Sequence, residues 1–338
     1  MKVAAVIGAT GYVGSHIVQR LINCGYTVRC GTRSPTKAAW LLDSISNASA
    51  SNLSIHVTRF NDEGPVDTTE LDALCTDCDS VFFCAGFEAQ KPETISFMVN
   101  SALATIAACK KNQVTSVVLT SSGGSTNPTN PPLDPGTLKN ERIHWSDPDY
   151  QQSVGKYSPA AKTLMELQAF EAVGRNKHNE IINEKLAKES PRLCIINPNL
   201  ILGPQLQPGP IIGNSLPWIG AILKGETMNK IVPNDSMSII DVRDLAALHV
   251  FAADSAAASG RYFGVHRSWP WKEILEALAV AYPPYRNKMP PMNKEEAAIE
   301  TMFDNTRRDS LLGNSMKLRS LEETFNDLIT FMKEKEVL

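Results

Sequence analysis

No apolar run in this 338-residue chain is long enough to cross a bilayer, and the amino end enters a strand directly, without the form of a signal peptide. Charge of one sign is missing as well. The 33 Lys and Arg stand against 36 Asp and Glu, a net charge of -3 that leaves no basic field for nucleic acid and no polybasic membrane patch. Cysteine pairing is also absent: seven cysteines, scattered and odd in number, read as reduced thiols of a cytoplasmic protein. Cys75-Thr-Asp-Cys78 has no second pair to complete a zinc site and reads as a helix end. The six histidines never fall at H-x-x-x-H spacing, so no metal is expected. Internal repeats and low-complexity tracts are lacking too. What remains is 43% hydrophobic and 20% charged, a globular balance with length for a large core and a smaller lobe.

The informative stretch is the first twenty residues. Val3-Ala-Ala-Val-Ile7 is a short apolar run of the kind that forms a buried parallel strand. Gly8-Ala-Thr10-Gly11-Tyr12-Val13-Gly14 follows at once, then Ile17, Val18 and Leu21 at helical spacing. Strand, glycine-rich turn and helix in that order are the context a dinucleotide fingerprint needs. Gly8 allows the tight turn, Gly11 lets the backbone approach a pyrophosphate, and Gly14 lets the helix pack on the strand. The helix amides without intrahelical partners then face the phosphates.

Gly25 to Thr32 reads as the second strand. A carboxylate near its end would hold the ribose hydroxyls of NAD, and there is none. Arg33 stands there instead, with Lys37 one turn on, and an arginine grips a 2′-phosphate that a carboxylate would repel. NADP(H) is therefore the expected cofactor, the alternative being a solvated surface arginine. Further strands are expected at Leu53–Val57, Ser80–Ala85 (ending at Gly86), Thr115–Thr120 and Leu193–Asn197 (ending at Pro198), with a long helix from Pro92 to Lys111. Alternation of this kind implies right-handed βαβ crossovers and a doubly wound, Rossmann-type α/β sheet. Residues 127–152 are a long Pro-, Asn- and Asp-rich loop, and a helix is expected over about 159–173.

Ligands of such a fold sit at the carboxyl ends of the strands. Ser122 ends the fifth strand, while Tyr157 and Lys162 precede or open the next long helix. A hydroxyl, a phenol and an ammonium around a nicotinamide can reduce a carbonyl: the phenol supplies the proton, the ammonium favours the phenolate, and the serine holds the developing alkoxide.

These segments resemble the extended short-chain dehydrogenase/reductases, and within them the dihydroflavonol reductase and cinnamoyl-CoA reductase group. Gly8–Gly14 is similar to that family's cofactor turn, Val28–Arg33 to its NADP-selecting strand, and Thr120-Ser-Ser122 to the segment carrying its catalytic serine. Trp145-Ser-Asp147, Asn197–Pro204, Ile240–Leu245, Gly260-Arg-Tyr262 and Phe303–Thr306 resemble further landmarks, so the likeness runs end to end. It implies catalytic roles for Ser122, Tyr157 and Lys162, and cofactor contacts at Gly8, Thr10, Gly11, Tyr12, Val13, Gly14, Arg33, Lys37, Ala85, Gly86, Lys162 and Pro198. Phe87, Ser125, Trp145 and Trp218 are candidate substrate contacts, the two tryptophans alternatively packing as lobe core.

One departure stands out. The family places its tyrosine four residues before the lysine, whereas here that position is Ser158 and Tyr157 lies five before. Ser158-Pro159 reads as an N-cap followed by a first-turn proline, which would leave Tyr157 just outside the helix and free to swing into the pocket. Otherwise Tyr157 merely packs, and Ser158 alone is a poor acid.

The expectation is thus an NADPH-dependent reductase of an aldehyde or ketone, aromatic or flavonoid-like. An NADP-binding sensor without turnover and a nucleotide-sugar epimerase or dehydratase are the alternatives. Residues 1–198, with 238–259 returning to them, are expected to form the NADP-binding core, and 199–237 with 260–338 the substrate lobe. The expected partner is a small carbonyl substrate, the assembly a monomer or homodimer.

Overall fold

The computed structural model describes residues 1–86, 90–128, 131–134, 136–226, 232, 234–291 and 300–338. Its centre is a seven-stranded parallel sheet built from β1 (Val3–Ile7), β2 (Thr27–Thr32), β3 (Leu53–Val57), β4 (Ser80–Phe83), β5 (Ser116–Thr120), β6 (Arg192–Pro198) and β9 (Gly260–Gly264). The order β9-β6-β5-β4-β1-β2-β3 reverses direction at β1, so the crevice between β1 and β4 is the switch point of a doubly wound fold.

Strand residues alternate between two buried layers, which is why these strands read as continuous apolar runs. Ala4, Val6, Val118, Cys194 and Ile196 face one layer, with α1 (Tyr12–Asn23) and α7 (Val242–Asp254). Ala5, Ile7, Val117, Leu119 and Ile195 face the other. That second layer holds α2 (Thr68–Cys75), α3 (Glu93–Lys111) and α5 (Tyr157–Ala172), and α4 (Pro148–Ser153) precedes α5.

A second, smaller sheet has the order β7-β8-β10, from Leu200–Leu202, Ser236–Asp241 and Arg267–Pro270. It shares a third core with α6 (Ser215–Lys224), α8 (Trp271–Ala281) and α9 (Leu321–Glu334), around Trp269, Trp271, Ile274 and Phe325. Two segments lie elsewhere than expected. Gly260–Gly264, assigned to the lobe from sequence, pairs in parallel with β6 at the edge of the central sheet. All five of its residues are buried, as befits a strand with helices on both faces. Residues 238–241, expected in the core, belong to the small sheet, where β8 runs parallel to β7 and antiparallel to β10. The return to the central layer begins with α7 at Val242.

No described helix is long and apolar enough to cross a membrane. Among the described residues no three His, Cys, Asp or Glu side chains gather as a metal site.

Candidate active site

The turn between β1 and α1 requires its glycines. Gly8 has φ +84°, and a Cβ there would lie 2.8 Å from the Ala85 nitrogen and 2.9 Å from the Cys84 carbonyl carbon. The close approach to Cys84 and Ala85 brings the end of β4 against the turn, at the switch point. Gly14 is tighter still, since its Cβ would lie 2.2 Å from Gly8 O. Gly11 is the N-cap of α1 and its N–H donates to Gly8 O at 2.9 Å. The amides of Tyr12, Val13 and Gly14 therefore open a helix whose amino end faces the crevice, a position suited to an anion. Gly86 has open space around it.

The far side of the turn is braced by the segment after β7. The Tyr12 hydroxyl donates to Gly203 O at 2.8 Å, and Gln207 Nε2 donates to Thr10 O at 3.0 Å and to Ser15 Oγ at 3.1 Å. Burial and the nearby Asp241 carboxylate raise the Tyr12 phenol well above its ordinary range, so it stays a donor. At the end of β2, Gly31 O accepts from the Gly8 amide at 3.2 Å. Arg33 and Lys37, two and six residues further on, are exposed beside this turn, and no acidic side chain stands between them.

Ser122 caps a single 3-10 turn, its Oγ accepting from Gly124 N at 3.0 Å and keeping its own proton free to donate. Lys162 Nζ donates to Thr120 O, the last carbonyl of β5, at 2.7 Å. Burial pushes its ammonium down to about 8, against the opposing pull of Cys84 and Glu166. Gly123 lies against Pro198 and Asn199, and a Cβ on Gly124 would meet Pro159 Cβ at 3.2 Å. Ser122, the first turn of α5 and the end of β6 thus converge.

Below them is a buried hub that the sequence did not reveal. The Glu166 carboxylate, one turn past Lys162, is fully buried and accepts from the Ser121 and Ser125 hydroxyls and from Asn197 Nδ2 at 2.7 Å. Its other oxygen lies 2.7 Å from Arg261 Nε. That guanidinium is also buried and donates to the carbonyls of Ser125, Glu141 and His144, stacking 3.7 Å from the centre of the Trp145 ring. Asn197 and Arg261 lie inside segments that resemble family landmarks, and Glu166 follows Lys162 by one helical turn. Their pairing, across 95 residues between Glu166 and Arg261, is a matter of topology that local spacing does not carry.

The expected substrate contacts fare differently. Ser125 has no exposed surface and is held by Glu166 and Asn197, so it supports the floor. Trp145 is sandwiched against Arg261 and makes an edge contact with Phe170 at 6.1 Å. Trp218 packs edge-on against Trp271 at 5.4 Å within the small lobe's core. Both tryptophans are half-buried, with neighbours that supply aromatic and cationic faces. Phe87 lies outside the described residues. The helix expected from Pro159 opens two residues earlier, at Tyr157, with Lys156 as its N-cap. Pro159 is tolerated in the first turn, where its missing N–H has no intrahelical acceptor.

The NAD(P)H-binding family profile matches residues 8–153. Cinnamoyl-CoA reductase 2 of Arabidopsis thaliana is 32% identical over 288 residues, 84% of this chain and 79% of that protein. The chain belongs to the extended short-chain dehydrogenase/reductases, in their dihydroflavonol and cinnamoyl-CoA reductase group. Another relative in the group, the dihydroflavonol 4-reductase of Dianthus caryophyllus, is 29% identical over 296 residues, 84% of this chain and 74% of that one. Two solved structures share the fold of this family member. Yeast methylglyoxal/isovaleraldehyde reductase Gre2, complexed with NADPH, matches with a TM-score of 0.80 and 22% identity over 99% of this chain and 100% of that one. Vestitone reductase from alfalfa matches with a TM-score of 0.77 and 21% identity over the full length of both. The tight turn that Gly8 and Gly14 permit, with the first amides of α1 at its mouth, fits the dinucleotide that the family carries.

Proposed function

We propose that this protein is an NADPH-dependent reductase of an aldehyde or ketone, with an aromatic or flavonoid-like carbonyl as the preferred class. The observation that carries the reading is the convergence of three features at one crevice. They are a glycine cradle at the switch point, an uncontested Arg33 at the end of β2, and Lys162 with Ser122 at the end of β5. In this reading residues 1–198 grip the cofactor and the elements around the small sheet close over the substrate.

Bound in the cradle, the reduced nicotinamide supplies the hydride. The amides of Tyr12, Val13 and Gly14 hold the pyrophosphate, and Arg33 with Lys37 hold the 2′-phosphate. Ala85, Gly86 and Pro198 border the dinucleotide. Ser122 donates its free proton as a hydrogen bond to the carbonyl oxygen, stabilising charge as it develops. Lys162 holds the nicotinamide ribose and supplies the positive charge behind the proton donor. Two hydroxyls stand ahead of Lys162 at the start of α5, the Tyr157 phenol and the Ser158 alcohol.

The reading is tested by following NADPH absorbance with a panel of aromatic and aliphatic aldehydes and ketones, beside a titration of NADPH fluorescence. Consumption of NADPH dependent on the carbonyl supports it. NADPH binding without turnover on any carbonyl favours the sensor, and no binding of either pyridine nucleotide removes both readings.

A further inference from the structure

Which hydroxyl gives the proton is decided by the course of α5. The helix is unbroken from Tyr157, and its first turn closes with Ala160 N–H donating to Lys156 O at 3.1 Å. At about 100° per residue, four positions leave Ser158 about 40° from Lys162 around the axis, and five leave Tyr157 about 140° away. The two stripes go to different places. Tyr157 heads the row of Ala161, Met165 and Ala169, all without exposed surface and packed in the layer shared with α3. Ser158 heads the row of Lys162 and Glu166, whose polar ends meet the carboxyl ends of β5 and β6. Pro159 packs on Gly124, and a Cβ on that glycine would stand 3.3 Å from Ser122 Oγ, so the first turn lies against the catalytic serine. The Ser158 amide donates to Gln90 Oε1 at 3.1 Å, which ties the same turn to the segment leaving β4.

We propose that Ser158, rather than Tyr157, hands the proton to the substrate oxygen and is refilled from the Lys162 ammonium. The proposal rests on the reductase reading above. As hydride from the reduced nicotinamide reaches the carbonyl carbon, the π pair moves to oxygen and that oxygen takes the Ser158 hydroxyl proton. The serine oxygen takes a proton from Lys162 Nζ in the same motion. The products are an alcohol, NADP+ and a neutral lysine that regains its proton from solvent. An alcohol is too weak an acid to do this alone, but in a relay no serine alkoxide is left behind. Burial has already brought the lysine down to about 8, within reach of neutral pH as a proton source.

The test is a set of variants assayed with NADPH on the carbonyl panel, with NADPH affinity and melting temperature measured for each. Ser158→Thr and Ser158→Val are near-isosteric and differ in the hydroxyl. The relay requires kcat of the valine variant to fall about 100-fold or more below that of the threonine variant, with NADPH affinity equal, while Tyr157→Phe stays within about threefold of wild type. Ser158→Ala provides a third variant should the β-branched side chains disturb the turn, and it must show the same loss. Equal rates in the threonine and valine variants, or a collapse in Tyr157→Phe with Ser158→Ala active, overturn the relay while leaving the reductase reading intact. Wild type that binds NADPH and turns over no carbonyl overturns the reductase reading, and the relay with it.

Discussion

Replacing Glu166 by glutamine changes two atoms' chemistry at almost constant volume, and the surroundings of that carboxylate set the size of the effect. Three donors converge on one oxygen and the Arg261 guanidinium on the other, with both side chains essentially without exposed surface. A glutamine that keeps its oxygen toward those three donors turns its NH2 group toward the Arg261 guanidinium, which has no lone pair to offer. It also leaves the Arg261 charge without its counter-ion, although three carbonyls still accept from it. Removing one partner of a buried pair costs about 3–5 kcal/mol, which for a chain of this size corresponds to a melting temperature lower by on the order of 5–10 °C. Activity falls as well, since the same carboxylate steadies Ser121, Ser125 and Asn197 on either side of Ser122. The loss should appear in kcat more than in KM, because the cofactor turn is not part of the hub. Thermal melting and steady-state kinetics of Glu166→Gln measure both effects. The double variant Glu166→Gln/Arg261→Met should recover part of the stability, because it no longer buries an uncompensated charge. A Glu166→Gln protein melting within about 1 °C of wild type would refute the argument, since breaking a buried pair cannot be that mild.

Three other outcomes follow from the site. Gly14→Ala forces a Cβ to within 2.2 Å of Gly8 O; overpacking of that kind costs about 1–3 kcal/mol, and α1 must lift from the phosphates. Its NADPH affinity should drop together with its melting temperature, and wild-type values for both rule the cradle out. Arg33→Asp removes charge-assisted bonds to a 2′-phosphate worth about 1.5–3 kcal/mol, so NADPH should lose roughly 10- to 100-fold relative to NADH. An unchanged ratio of the two affinities removes Arg33 from cofactor selection. The Lys162 ammonium, depressed to about 8 by burial against the opposing pull of the Glu166 carboxylate, should make kcat fall as pH rises through about 8. The sign for stability is opposite. Between about 8 and the ordinary lysine value near 10.4, the unfolded chain holds a proton that the folded chain has lost, so the fold gains stability with pH. A kcat flat to pH 10 contradicts the assignment.

The central fold was legible because its signals are local. Val3–Ile7 and Leu53–Val57 are strands over the residues expected, and Gly8 and Gly14 fill the turn and packing roles that their positions implied. The misplaced pieces depend on partners remote in sequence. Gly260–Gly264 shows no local mark of the sheet it joins, and its partner β6 ends more than sixty residues earlier. Trp145 and Trp218 are large apolar side chains that a pocket and a core would recruit equally well, and only the tertiary fold shows that one ring packs on Arg261 and the other on Trp271. The start of α5 misled for a different reason. Ser-Pro is a strong N-terminal signal, yet a first-turn proline is compatible with the second or third helical position as well as the first. That two-residue offset puts Tyr157 inside the helix rather than ahead of it.

The brace across the nucleotide turn also bears on modularity. Tyr12, His16, Thr10 and Ser15 each find a hydrogen-bonding partner between Gly203 and Gln207, in chain that follows the first six strands of the sheet. A fragment cut after β6 would expose those groups together with the flank of β6 that Gly260–Gly264 covers. The amino-terminal half is therefore not a cassette that could be grafted onto another scaffold. Its grip on the coenzyme is held in shape by sequence that a ribosome delivers some two hundred residues later.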